Sequence, residues 1–234
     1  GYANLIKLVS TAWCEGFYYK PRINFELLKE HHEGLICASA CLGGEVLQNL
    51  LMGDYAKAKE TAQRYKDLFG DDYYIEIQNN GIKEQVLANQ KLEDQKRTNP
   101  DLIKIAKELN IKMIITNDSH YLRREDADAQ DTLLCLQTNA DKDDPNRFHF
   151  PNNEFYIKSK EEMRKAFSWM DDETFEECVK NTEDAASKCN VEIELGNAPL
   201  PHYDVPEGYT NETYLQHIVY EGLKKRYGEI SDDL

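Results

Sequence analysis

Three short apolar runs punctuate the first half of the chain: "LICAS" (35–39), "YYIEIQ" (73–78) and "KMIIT" (112–116). Each is the length of a strand rather than a helix and is closed by turn or polar residues, so each predicts a buried strand. Helical signals fill the intervals. A helix is expected from Gly44 to Met52, and Asp54 caps "YAKAKETAQRYKDLF" before Gly70 stops it. Strand and helix thus alternate with short connections, which predicts an α/β fold with a parallel sheet.

The rest of the chain extends this pattern. "YANLIKLVS" opens it as an amphipathic helix, and Asn24 caps a short helix ended by Gly34. A polar helix is expected from Gln85 to about Lys96, and Asn99-Pro100 has the cap-then-proline form that restarts a helix. Helices follow at about 125–137 and 173–188, with a Ser159/Glu162 capping box before "KEEMRKAF". "EFYIKS" and "VEIELG" read as further strands. The proline-rich "NAPLPHYDVPEGYT" reads as a boundary, and "NETYLQHIVYEGLKKRYG" as a helix of the next domain. The expected division is 1–196 and 197–234. A chain that starts at Gly1 and enters a helix at once looks cut from something longer.

Composition narrows the function classes. The 234 residues carry a net charge of −15. Such a surface repels nucleic acid on average, because DNA binding rests on Lys and Arg neutralising phosphates. Any DNA contact is expected to be local or to lie outside this chain. The acid excess is concentrated at 161–188, where nine Asp/Glu face four Lys/Arg, and it reads as a solvated helix face. Six cysteines without a C-x-x-C pair, no signal peptide and no membrane-length apolar run predict reduced thiols in a cytoplasmic protein.

Chemistry is expected where strand ends meet, because parallel α/β sheets gather their sites there. "LICAS" leads to Cys41, "YYIEIQ" ends at Gln78, Asn79 and Asn80, and "KMIIT" ends at Asn117, Asp118 and His120. Asp118 and His120 are two residues apart and leave the same face of an extended backbone. Carboxylate, imidazole and thiolate suit a divalent metal such as zinc, and the first two also suit manganese. D-x-H alone is a weak motif, and a turn-capping Asp, a core His and a buried Cys are the alternatives. Lys20 and Arg22 in "YYKPRI", with Asn117, are candidates for holding a phosphate or supporting the ligands. No Gly-rich phosphate loop, G-x-S-x-G or H-E-x-x-H occurs.

Seven separated blocks carry a resemblance: "GYANLIKLVS", "GFYYKPRI", "LICASACLGGEV", "YYIEIQNNG", "MIITNDSHYLRREDADAQDTLLCLQT", "FYIKSKEEM" and "NTEDAASKCNVEIELG". In this order they resemble the bacterial DNA polymerase III alpha (catalytic) subunits, in the polymerase-and-histidinol-phosphatase (PHP) domain and the start of the palm region. The resemblance implies a distorted TIM-like β/α barrel of the PHP type, here without its N-terminal strands. It implies metal ligands at Cys41, Asp118 and His120, with further ligands, including an H-x-H, from a stretch before Gly1. The family often has His where Asn80 stands, so a metal role at Asn80 is in doubt. It further implies DNA and dNTPs as substrates of the palm with magnesium, zinc or manganese in the PHP site, and metal-dependent 3′–5′ exonuclease proofreading. A sliding clamp and a separate proofreading exonuclease are the implied partners. No carboxylate set for polymerisation is found here, so the fragment alone is expected to be inactive. The alternative is a non-catalytic PHP scaffold that stabilises the polymerase and docks the separate exonuclease. A free-standing phosphoesterase fits the trailing helix poorly.

Overall fold

The computed structural model describes residues 1–80, 86–87, 90–91, 94–198 and 200–228. It divides into two compact units, Gly1–Val191 and Glu192–Leu234. The first opens with α1 (Tyr2–Cys14) and α2 (Phe25–Glu30). The side chain of Asn24 caps α2 by accepting from the Leu27 N–H at 2.9 Å. There follow β1 (Cys37–Ala38), α3 (Glu45–Leu51), α4 (Tyr55–Phe69) and β2 (Tyr73–Gln78). Next come the short β3 (Val86–Leu87) and β4 (Gln90–Lys91), then α5 (Asp94–Glu108) and β5 (Lys112–Thr116). Helices α6 (Ala127–Thr138), α7 (Lys160–Ala166) and α8 (Asp172–Ser187) complete the unit.

The expected parallel sheet forms, with β2 between β1 and β5. Tyr73, Ile75 and Ile77 of β2 point into an apolar core shared with Val46, Leu50, Ala58, Ile105 and Phe175. Ile75 and Ile77 are fully buried, each worth about 1.5–3 kcal/mol of transfer free energy. The alternate residues of β2 carry polar groups. The Glu76 carboxylate accepts from Gln78 Nε2 at 2.8 Å and from the Thr116 hydroxyl. Ser39 Oγ accepts from the Glu76 backbone N–H at 2.9 Å. The sheet is therefore apolar on one face and hydrogen-bonded on the other. Its β5 edge is not left bare, because Asn181 and the more distant Thr182 on α8 donate to the carbonyls of Met113 (2.9 Å) and Ile115 (3.4 Å).

Several local expectations are corrected. "LICAS" yields only Cys37–Ala38, because Ala40 turns into the left-handed region at φ 63°. The helix expected from Gln85 is replaced in part by the antiparallel pair β3–β4; the remainder of 81–93 lies outside the described residues. Asn99-Pro100 does not restart a helix, since α5 runs through Pro100. Asn99 is instead a buried anchor whose Nδ2 donates to the Gln78 carbonyl at 3.0 Å. "EFYIKS" makes only an isolated parallel bridge, Tyr121 to Tyr156. "VEIELG" has strand alternation but forms no strand, and Val191, Ile193 and Leu195 are exposed. A period-2 pattern makes a strand only where a partner pairs with it.

In the second unit, α9 (Asn211–Tyr227) begins at a capping box between Thr210 and Thr213. Tyr209 packs edge-on against Tyr214 at 5.3 Å between ring centroids. Among the described residues no helix is long and apolar enough to cross a membrane.

Candidate metal-binding site

The carboxyl ends of the strands converge on one cavity of about 570 Å3. Cys41, Gln78, Asn80, Asp118 and His120 line it. The sequence singled out all five as strand-end residues, and the fold brings them to a common space.

The Asp118–His120 pair is built from the backbone outward. β5 ends at Thr116, and the Ser119 N–H turns back to the Asn117 carbonyl at 2.9 Å. The His120 N–H then donates to the Phe155 carbonyl at 2.7 Å. This tight path leaves the two side chains together, with His120 Nε2 3.1 Å from Asp118 Oδ1. Their side chains are 41% and 45% exposed, so both remain open to a ligand. The imidazole packs against Phe150 at 4.6 Å and Phe155 at 6.2 Å between ring centroids. Two residues beyond β2, the buried Asn80 accepts the Asp118 N–H on its Oδ1 at 3.3 Å, and its carbonyl accepts from Asn152 Nδ2 at 3.1 Å. Asn80 thus holds backbone in place from a cavity-lining position.

Cys41 is exposed and sits just after the left-handed Ala40. The turn behind it is tight: a Cβ on Gly44 would come within 2.1 Å of the Ser39 carbonyl oxygen, so that position needs glycine. Thiol, carboxylate and imidazole fit zinc in kind, and the last two fit manganese. They do not fit in number. Among the described residues no group of three or more His, Cys, Asp or Glu side chains is close enough to hold an ion. The pair is in place, Cys41 borders the same space, and a complete coordination shell takes further donors.

Of the other candidates, Asn117 lies beside the pair but turns away from the cavity, its Nδ2 donating to the Tyr156 carbonyl at 2.7 Å. Lys20 and Arg22 do not line the cavity. The Arg22 guanidinium lies over the Tyr18 ring at 5.3 Å. The sequence reading missed the aromatic wall of Phe148, Phe150 and Phe155. The alternation in "FHF" within an otherwise polar loop was its available signal.

A loop-borne carboxylate–imidazole pair thus stands at the end of a parallel strand, and a thiol borders the same cavity. Residues 1–80 match the PHP domain family. The chain is 42% identical over 236 residues to the DNA polymerase III subunit alpha of Treponema pallidum, covering 100% of this chain and 19% of that protein. It is 45% identical over 230 residues to the Deinococcus radiodurans subunit, covering 97% and 16% respectively. The Borreliella burgdorferi subunit is 41% identical over 236 residues, covering 100% and 19%. The chain carries PHP-domain sequence and, over its whole length, is a homologue of the DNA polymerase III alpha subunit. It spans less than a fifth of the length of these curated relatives.

Proposed function

We propose that the chain serves in DNA replication as a segment of a DNA polymerase III alpha subunit, the replicative DNA-directed DNA polymerase. The observation that carries this reading is identity of 41–45% to such subunits along nearly the entire chain. In this reading residues 1–196 belong to the PHP domain, and 197–234 form a linker and the start of the palm. The PHP domain is a distorted TIM-like β/α barrel; three parallel strands with a helix-covered apolar face and a polar opposite face support this. DNA and dNTPs meet the palm, which takes magnesium. The sliding clamp and a proofreading exonuclease are replisome partners, and the setting is cytoplasmic.

Cys41, Asp118 and His120 would hold a divalent metal, zinc or manganese, together with further donors. When bound, such a metal supplies an activated water and charge stabilisation for hydrolysis of a phosphodiester, the basis of 3′–5′ proofreading. The chain's own residues prepare the place. Asp118 Oδ1 and His120 Nε2 stand 3.1 Å apart, so the two donor atoms already face a common point that an ion would occupy in place of their mutual contact. Phe150 and Phe155 pack against the ring and limit its tilt, and Phe148 extends this apolar wall of the cavity.

The test follows cleavage of a mismatched primer end by the alpha subunit carrying this segment, with manganese or zinc supplied. Asp118→Ala with His120→Ala is expected to reduce cleavage to background while DNA synthesis continues. Unchanged cleavage would remove the metal role. A second reading, a non-catalytic scaffold that docks a separate exonuclease, draws support from Asn80, which stands where the family often has His and whose Oδ1 accepts the Asp118 backbone N–H. In that case the double variant leaves proofreading with the partner and alters nothing at the primer end.

A further inference from the structure

We propose that Lys158 is a positioning residue for the Asp118–His120 pair, acting through the side-chain amide of Asn117. This rests on the reading of that pair as metal ligands. The Lys158 side chain is only 2% exposed, although it carries an ammonium. Its Nζ donates to the Glu154 carbonyl and to Asn117 Oδ1 at 3.2 Å, and lies 3.5 Å from Glu154 Oε2. The Tyr156 ring lies 4.3 Å from the same nitrogen. Burial pushes the ammonium's pKa down, and the neighbouring Glu154 carboxylate opposes that push.

An ammonium has three donors and no acceptor, whereas an amide can present either end. Facing Lys158, Asn117 must present its oxygen. Its Nδ2 is then directed to the Tyr156 carbonyl at 2.7 Å. That bond fastens the end of β5 to the 154–156 segment, beside the Ser119 hydroxyl, which reaches the Tyr156 carbonyl at 3.3 Å, and the His120 N–H, which donates to Phe155. Asn117 immediately precedes Asp118, so its orientation sets where the pair begins. A buried cation is an expensive way to gain stability alone, because desolvation offsets most of the attraction to its partner. Fixing one amide orientation beneath a ligand pair is a role that an apolar side chain cannot fill.

The experiment uses the full chain, 15N-labelled, as wild type, Lys158→Met and Lys158→Arg. It reads the Asn117 amide and His120 imidazole resonances, and then the affinity for manganese alone. Lys158→Met is expected to shift both sets of resonances and to weaken manganese binding about tenfold, as removal of groups that orient a ligand does. Lys158→Arg is expected to restore both. Unmoved Asn117 and His120 resonances in folded Lys158→Met would overturn the proposal. Should that variant not fold, Asn117→Asp decides it: the carboxylate still meets Lys158 but cannot donate to Tyr156, so unmoved His120 resonances overturn it equally. Asp118→Ala and His120→Ala run alongside; if they leave manganese affinity unchanged, the metal reading fails, while the resonance shifts still judge Lys158.

Discussion

Phe175→Ala is expected to lower the unfolding free energy by about 3–5 kcal/mol, the cost of emptying a well-packed aromatic site. Phe175 is fully buried on α8, within the cluster that joins that helix to β2 and β5. Its ring lies 6.4 Å from the Phe167 ring, and the Arg164 guanidinium lies 4.9 Å above it. Arg164 is itself tied to the Phe167 and Met170 carbonyls at 2.7 and 3.0 Å, so the lid over the ring cannot collapse into the space. Urea unfolding should show a lower midpoint at an unchanged slope. A loss under about 1 kcal/mol, small for a Phe→Ala core change, would mean that α8 does not close the core as described.

Asn99→Leu is expected to cost about 1–3 kcal/mol, the penalty for leaving a buried carbonyl unpaired. The side chains are similar in size, so little cavity forms. What disappears is the 3.0 Å bond from Asn99 Nδ2 to the Gln78 carbonyl at the end of β2. Two residues later Asn80 receives the Asp118 N–H. The effect should therefore reach the site: His120 resonances should shift in Asn99→Leu and stay still in Phe175→Ala. Denaturant unfolding with imidazole spectra of the folded state checks both parts. An unchanged midpoint would show that the Gln78 carbonyl finds another donor.

These two residues also mark what could be read from the sequence. β2 and β5 were legible because their runs are uninterrupted and bounded, and the structure places them as read, at Tyr73–Gln78 and Lys112–Thr116. Asn99 was misread because cap-then-proline is a local signal, and tertiary burial overrode it. "VEIELG" failed for a related reason: alternation describes a half-buried face and cannot reveal whether a neighbouring strand exists. Within the site, the two-residue spacing foretold that Asp118 and His120 would meet, although a turn at Ser119, rather than a plain extended strand, brings them together. Cys41 was legible as a strand-end residue. The 154–158 segment was read as a strand but not as a neighbour of the site, because it meets the site loop through one bridge and side-chain bonds, which leave no pattern in the sequence.

As proposed, Asp118 and His120 would form part of a divalent-metal site bordered by Cys41. Anomalous diffraction from crystals of this chain soaked in zinc tests it most directly. The expected result is a peak within bonding distance of both the Asp118 carboxylate and the His120 imidazole, about 2.0–2.2 Å for zinc. Peaks confined to other exposed groups such as Cys14 or Cys189, with none between Asp118 and His120, would contradict it.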